Sequence, residues 1–305
     1  REVNKGDPLN MKILKTPENN FDFLKDYDFL PNYQNVSLDS SYELQMHYLD
    51  ENSSSDHAIL LLHGEPTWSY LYRKFIPPLV ERGKRVIAPD LIGFGKSDKF
   101  QDQSAYSYAN HLEWLRSLVN ALNLKDVVMF AQDWGGLLGL RLVAENPSIF
   151  KGMVLSNTGL PTGKGMTDGF KQWLDYSQNV EDFDAGKIVN QGSMQALSNH
   201  EIAAYNAPFP SDEYKAAARA FPRLVPVTEE HAQVSENIDA WHQLKKFTKP
   251  TLTMFGKNDP VFIGTESALI KKIPGADGMP HQIIDAGHFS QENQAEILVN
   301  GILSI

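Results

Sequence analysis

Val127-Val128-Met129-Phe130-Ala131-Gln132-Asp133-Trp134-Gly135-Gly136 runs from an apolar, β-type stretch through a sharp turn into a glycine-rich helical start. This is the strand–turn–helix context of a nucleophile elbow, whose usual pattern is G-x-S-x-G. Here the pattern reads Ala131-Gln132-Asp133-Trp134-Gly135, with a carboxylate in the central place. A carboxylate is a weak but usable nucleophile toward carbon and leaves an ester behind. The substitution argues against esterases and lipases and for displacement at a saturated carbon. The competing reading of Asp133 is a helix N-cap, a place that aspartate fills well. Small residues on both sides of the turn, and a set of partners in the right chain order, favour the nucleophile.

Outward from the elbow, short apolar runs mark the other strands. Ala58 to Leu62 reads as a strand buried on both faces. Tyr42 to Tyr48, Arg85 to Ala88, Met153 to Ser156, Thr251 to Phe255 and His281 to Ile284 complete the set. Helices are expected at about Tyr70 to Glu81 and Tyr108 to Leu122. Strands alternating with helices imply an α/β fold, a mainly parallel sheet flanked by helices. The stretch from about Gly159 to Glu236 lacks a buried-strand run and looks helical, for example at Ile202 to Tyr205 and Tyr214 to Ala220. It reads as a helical cap, residues 159–236, inserted into a main domain of residues 1–158 and 237–305.

The chain of 305 residues is long enough for one large core. With 28 basic and 38 acidic residues its net charge is −10, which argues against a nucleic-acid surface. No run of apolar residues is long enough to span a membrane. The absence of cysteine excludes disulfides and fits a reducing, cytoplasmic setting. Arg1 to Asn10 is polar and carries no secretory core, and Met11 reads as a natural start with residues 1–10 as an upstream extension. Asn35-Val36-Ser37 and Asn52-Ser53-Ser54 match the glycosylation pattern and are taken as chance matches. Gly95-Lys96-Ser97 resembles the end of a phosphate-binding loop, but Asp90 occupies the place of the first glycine. No metal-ligand spacing is present, and no cofactor is implied.

The candidate partners of Asp133 sit at later strand ends, where chemistry gathers in open α/β sheets. Among nine histidines, His288 alone combines a strand end, a preceding glycine and the last place in chain order. A lone histidine is more often a satisfied structural residue, but the order nucleophile, acid, histidine favours a catalytic one. For the acid, Ser156-Asn157-Thr158 offers none, whereas Phe255-Gly256-Lys257-Asn258-Asp259-Pro260 offers Asp259. Asp259 also suits a turn before proline. The loop His63-Gly64-Glu65-Pro66 follows the strand expected beside the elbow, so the backbone N–H groups of Glu65 and Trp134 would form the oxyanion hole. His63 itself is read as turn structure. An indole N–H donates without accepting, so Trp134, with Trp173 at the start of the cap, would grip a departing halide. Core packing is the competing reading for both, and it is retained for Trp114 and Trp241; Trp68 is expected to pack beneath the oxyanion loop.

At these residues the chain resembles the haloalkane dehalogenases of the α/β-hydrolase superfamily, in the branch with the catalytic acid after the later strand. The resemblance runs from Met11 onward. It is carried by His63-Gly64-Glu65-Pro66-Thr67-Trp68-Ser69-Tyr70, by Pro89-Asp90 with Gly93-Phe94-Gly95-Lys96-Ser97-Asp98, by Gln132-Asp133-Trp134-Gly135-Gly136, and by Asp285-Ala286-Gly287-His288-Phe289. It implies Asp133 as nucleophile, His288 as base, Asp259 as its partner, Glu65 and Trp134 as the oxyanion hole, and Trp134 and Trp173 as halide ligands. It further implies an apolar pocket at Leu137, Phe170, Phe221, Pro222, Val225, Val261 and Phe262. The stretch between Asn157 and Trp173 is shorter than in the best-known members of this branch.

The expected reaction has two halves. Asp133 attacks the halogen-bearing carbon and halide leaves; water activated by neutral His288 then opens the ester and releases the alcohol. Partners are a small halogenated substrate, water and halide, and the chain is expected to act as a monomer. An epoxide hydrolase could use the same three residues, with cap tyrosines such as Tyr176, Tyr205 or Tyr214 as proton donors. Products from a bromoalkane and from styrene oxide separate the two. A non-catalytic binding protein with the same fold is the remaining rival, and stoichiometric binding without halide release would identify it.

Overall fold

The structure, a computed structural model, describes residues 11–37 and 43–305. Its centre is an eight-stranded sheet: β1 Asn32–Val36, β2 Leu44–Glu51, β3 Ala58–Leu62, β4 Arg85–Pro89, β5 Val127–Gln132, β6 Phe150–Ser156, β7 Thr251–Gly256 and β8 Gln282–Ile284. The spatial order is β1-β2-β4-β3-β5-β6-β7-β8. β2 runs antiparallel to both its neighbours and the remaining pairs are parallel. Every residue of β3, β5 and β7 is buried, as a strand covered by helices on both faces requires. The parallel register pairs Leu62 with Ala131, so the loop after β3 and the turn after β5 leave the sheet side by side.

The expected strands are present, most of them a residue or more longer. The strand expected over Tyr42 to Tyr48 runs Leu44–Glu51, and Tyr42 lies outside the described residues, as do residues 1–10. β1, with the mixed sequence Asn-Tyr-Gln-Asn-Val, was not expected; it is an edge strand with alternating burial. The helix expected over Tyr70 to Glu81 is two elements, a 3-10 turn Ser69–Tyr72 and a helix Ile76–Glu81. Pro77 and Pro78 explain the break, because proline has no N–H to give a preceding turn and fits the first turn of a new helix. The stretch Gly95-Lys96-Ser97 is a turn gathered on Asp90, whose carboxylate accepts the Ser69 and Lys96 backbone N–H groups and contacts His47 Nδ1.

Between β6 and β7 lie the helices Asp168–Asn179, Ala185–Gln191, Asn199–Asn206, Ala216–Leu224 and Val234–Leu244. The last packs on the helix Trp134–Glu145: Asn237 and the neighbouring Gln233 accept hydrogen bonds from Arg141 of that helix. A boundary at 236/237 would cut the helix Val234–Leu244, and we propose that the cap ends before Val234. The helix Asn199–Asn206 is pinned to the main domain by Arg73, whose guanidinium bonds Glu201 at 2.5 Å and Glu292 at 2.5 and 3.0 Å. Trp68 donates its indole N–H to Ala204 O on the same helix, so it packs against the cap and not only under its own loop. No helix among the described residues is long and apolar enough to cross a membrane.

Candidate active site

Asp133 sits where β5 turns into the helix Trp134–Glu145, with φ 55° and ψ −131°. A non-glycine residue in that region is strained, and such strain clusters at functional sites. Its side chain makes no capping bond to the helix, which removes the N-cap reading. The turn is held from both sides: the Asp133 N–H donates to Asn157 O at 2.9 Å, and Thr158 Oγ1 donates to Asp133 O at 2.7 Å. The neighbouring chain comes so close that a Cβ on Gly64 would strike the Asp133 carboxylate, and one on Gly135 would strike Leu62 O.

The three side chains taken from separate strand ends lie in one line. His288 Nε2 is 3.1 Å from Asp133 Oδ1, and His288 Nδ1 is 2.7 Å from Asp259 Oδ2. Asp133 Oδ2 accepts the Glu65 backbone N–H at 2.8 Å. Asp259 Oδ1 accepts the Val261 N–H at 2.9 Å, and Oδ2 also accepts the Asn157 amide at 3.1 Å. Asn157 was passed over in the sequence because it is no acid, yet it links the elbow to the Asp259 loop. Its amide also bonds both the N–H and the C=O of Gly256. The usable signal was position: it directly follows β6, the strand between those that lead into Asp133 and Asp259.

Burial alone would depress the His288 imidazole. Asp259 first, with Asp133 adding to it, outweighs burial and pushes its pKa up to about 10. Burial would raise Asp259, but the imidazole, the Val261 N–H and the Asn157 amide hold it below the usual carboxylate range. His63 is satisfied locally, as read from its turn: Nδ1 contacts Gly64 O and Nε2 accepts the Leu91 N–H.

Two spaces adjoin this line and share Glu65, Asp133, Trp173 and Val261 as wall residues. An inner chamber of about 20 Å³ is lined by Glu65, Asp133, Trp134, Leu137, Phe170, Trp173, Pro222, Val225, Val261 and Phe262. That is room for about one water-sized particle. An outer cavity of about 320 Å³ is walled by Asp133, Trp173, Tyr176, Ile188, Asp259, His288 and Phe289, among others. The Trp134 indole N–H is buried without a hydrogen-bond partner. Phe221 is not on either wall. It stacks behind Trp134 with ring centroids 4.4 Å apart and planes 13° apart, and so fixes the indole from the rear. Ile188, Gln172 and Gln191 of the outer cavity were not anticipated: they lie on the cap helices Asp168–Asn179 and Ala185–Gln191, and which helix face meets the cavity is set by how the cap packs. Of the tyrosines an epoxide hydrolase would need, Tyr176 alone faces the outer cavity; Tyr205 donates its hydroxyl to Glu292, and Tyr214 is on neither wall. Among the described residues no group of His, Cys, Asp and Glu is arranged to hold a metal ion.

Strand order, the strained elbow and an acid–histidine pair at the later strand ends define an α/β-hydrolase with a carboxylate at the elbow. The family model for the alpha/beta hydrolase fold matches residues 57–295. The chain is 48% identical over 288 residues to a haloalkane dehalogenase of Psychrobacter cryohalolentis, covering 94% of this chain and 95% of that protein. It is 45% identical over 295 residues to one of Mycolicibacterium paratuberculosis, covering 96% and 98%. Among solved structures, the tetrameric haloalkane dehalogenase of Paraglaciecola agarilytica superposes with a TM-score of 0.90 at 34% identity, covering 96% of this chain and 98% of that one. The chain belongs to the haloalkane dehalogenases, hydrolases that act on carbon–halide bonds.

Proposed function

We propose that this enzyme cleaves the carbon–halide bond through an ester on Asp133. One observation carries the reading: the Asp133 carboxylate is held between the Glu65 N–H and His288, on the wall of a chamber also lined by Trp134, whose indole N–H is buried and unpaired. An Asp133 oxygen attacks the halogen-bearing carbon, the carbon–oxygen bond forms, and halide leaves toward Trp134 and Trp173. The largely apolar walls accept the alkyl chain and strip water from the attacking carboxylate.

Esterification changes the electrostatics of the second half. It removes the negative charge 3.1 Å from His288 Nε2. One of the groups that hold the proton on the imidazole is then gone, so His288 gives it up and becomes a base. Water then loses a proton to His288 and attacks the ester carbonyl carbon. The N–H groups of Glu65 and Trp134 receive the oxyanion. Its collapse breaks the bond to the alkyl oxygen, which takes the proton back from His288 and leaves as the alcohol. The Asp133 carboxyl then loses its proton to restore the carboxylate. Asp259, backed by Asn157, orients the ring and stabilises the imidazolium. We carry the monomeric state and the cytoplasmic setting as expectations of the same proposal.

The halide assignment is tested through Trp173, which lines both spaces and belongs to the helix Asp168–Asn179. Trp173→Phe keeps the ring but removes the N–H. Two donors on the halide stabilise its developing charge more than the neutral carbon–halogen bond. Losing one is expected to slow alkylation on the order of a hundredfold. Bromide quenching of tryptophan fluorescence should weaken with it, while thermal stability changes little. Unchanged bromide affinity would remove Trp173 from the halide site.

A further inference from the structure

The scheme above uses the backbone N–H of Glu65 and leaves its side chain without a task. Glu65 is 4% exposed, both its carboxyl oxygens are buried, and neither has a hydrogen-bond partner among the described residues. Glu65 is among the residues that line the inner chamber and the outer cavity alike. Among the described residues around the inner chamber, Trp134 is the other one with a buried polar atom left unpaired. An ionised carboxylate buried without a partner is costly enough that the group takes up a proton instead. Burial first, and then the negative charge of Asp133, push the Glu65 carboxyl well above the usual carboxylate range. The environment thus divides two neighbouring acids: Asp133 has an N–H and an imidazole to face, and the Glu65 carboxyl has neither.

We propose that the Glu65 side chain, carried as the uncharged acid, is a third ligand of the halide, its O–H donating into the chamber beside the Trp134 indole N–H. This rests on the halide reading of that chamber. The uncharged acid offers an anion a donor, whereas the ionised form would repel it. Halide and the Glu65 proton therefore stabilise one another, by the same factor in each direction. The titratable groups sharing these walls are Asp133 at the elbow, Asp259 and His288 after the last strands, and Tyr176 on the cap. On its own loop, burial keeps His63 toward the neutral form.

The test is bromide affinity against pH, read by fluorescence quenching in the wild type, Glu65→Gln and Glu65→Leu. Once Glu65 ionises, wild-type affinity should fall about tenfold per pH unit. Glu65→Gln keeps an N–H donor with no proton to lose and should lack that limb. Glu65→Leu should bind bromide on the order of tenfold or more weakly at neutral pH. His288 is present in all three, so the difference between the curves belongs to Glu65. Wild-type and Glu65→Gln curves that coincide at every pH overturn the proposal. Infrared difference spectra of the wild type should show a protonated-acid carbonyl band that shifts when bromide binds at neutral pH; no such band also overturns it. Either failure leaves an alkyl adduct on Asp133 untouched, whereas a wild type that binds no bromide overturns the halide reading with it.

Discussion

Asp133→Ala will fold and release no halide, with turnover lowered by at least about 10⁴-fold, the scale on which removal of a nucleophile is felt. The side chain caps no helix, and its backbone bonds to Asn157 and Thr158 do not depend on the carboxylate. The elbow therefore keeps its shape when the carboxylate goes. Residual catalysis would have to come from water, and among the described residues no other carboxylate meets both the Glu65 N–H and His288. Halide release from a bromoalkane, together with circular dichroism of the variant, makes the check. Wild-type-like turnover by the folded variant would end the reading of Asp133 as nucleophile.

His288→Phe separates the halves of the reaction. The imidazole enters as a base only after the ester exists, so this variant should alkylate once and stall. A single burst of halide, close to one per active site, should be followed by turnover lowered on the order of 10⁴-fold or more. Intact-protein mass spectrometry should find one added alkyl group, and fragmentation should locate it on Asp133. Phenylalanine fits the setting: the ring of His288 already stacks on Phe262 and meets Phe289 edge-on. A variant with neither burst nor adduct would mean that His288 acts earlier, for example by holding the Asp133 carboxylate in its attacking position.

The parts of the site legible in the sequence are those written in local backbone chemistry. A strand, a small-residue turn and a helix announce Asp133, and chain order with strand ends singles out His288 and Asp259. The β3 and β5 runs are apolar throughout because both faces are buried, and they could be read directly. What escaped depends on residues far apart in sequence. Asn157 supports Asp259 across 102 positions. Phe221 is apolar and near the site, but only the stack on Trp134 reveals that it backs the indole instead of facing the substrate. β1 is missed because an edge strand with polar residues lacks an apolar run, and the break before Ile76 because the helical pattern continues across Pro77 and Pro78. The unpaired state of the Glu65 carboxyl is legible only from its three-dimensional surroundings.

The central claim is that oxygen passes from Asp133 to the product. In the proposed scheme the alkyl carbon bonds to an Asp133 oxygen, and water replaces that oxygen at the carboxyl carbon. A single turnover with enzyme in excess, run in water carrying a heavy oxygen isotope, therefore has one expected outcome. The alcohol will carry the light oxygen of the protein, and peptide mass spectrometry will find the heavy isotope in the Asp133 carboxylate. A first-turnover alcohol bearing the solvent isotope, with Asp133 unlabelled, would mean that water attacks the substrate directly and would contradict the account.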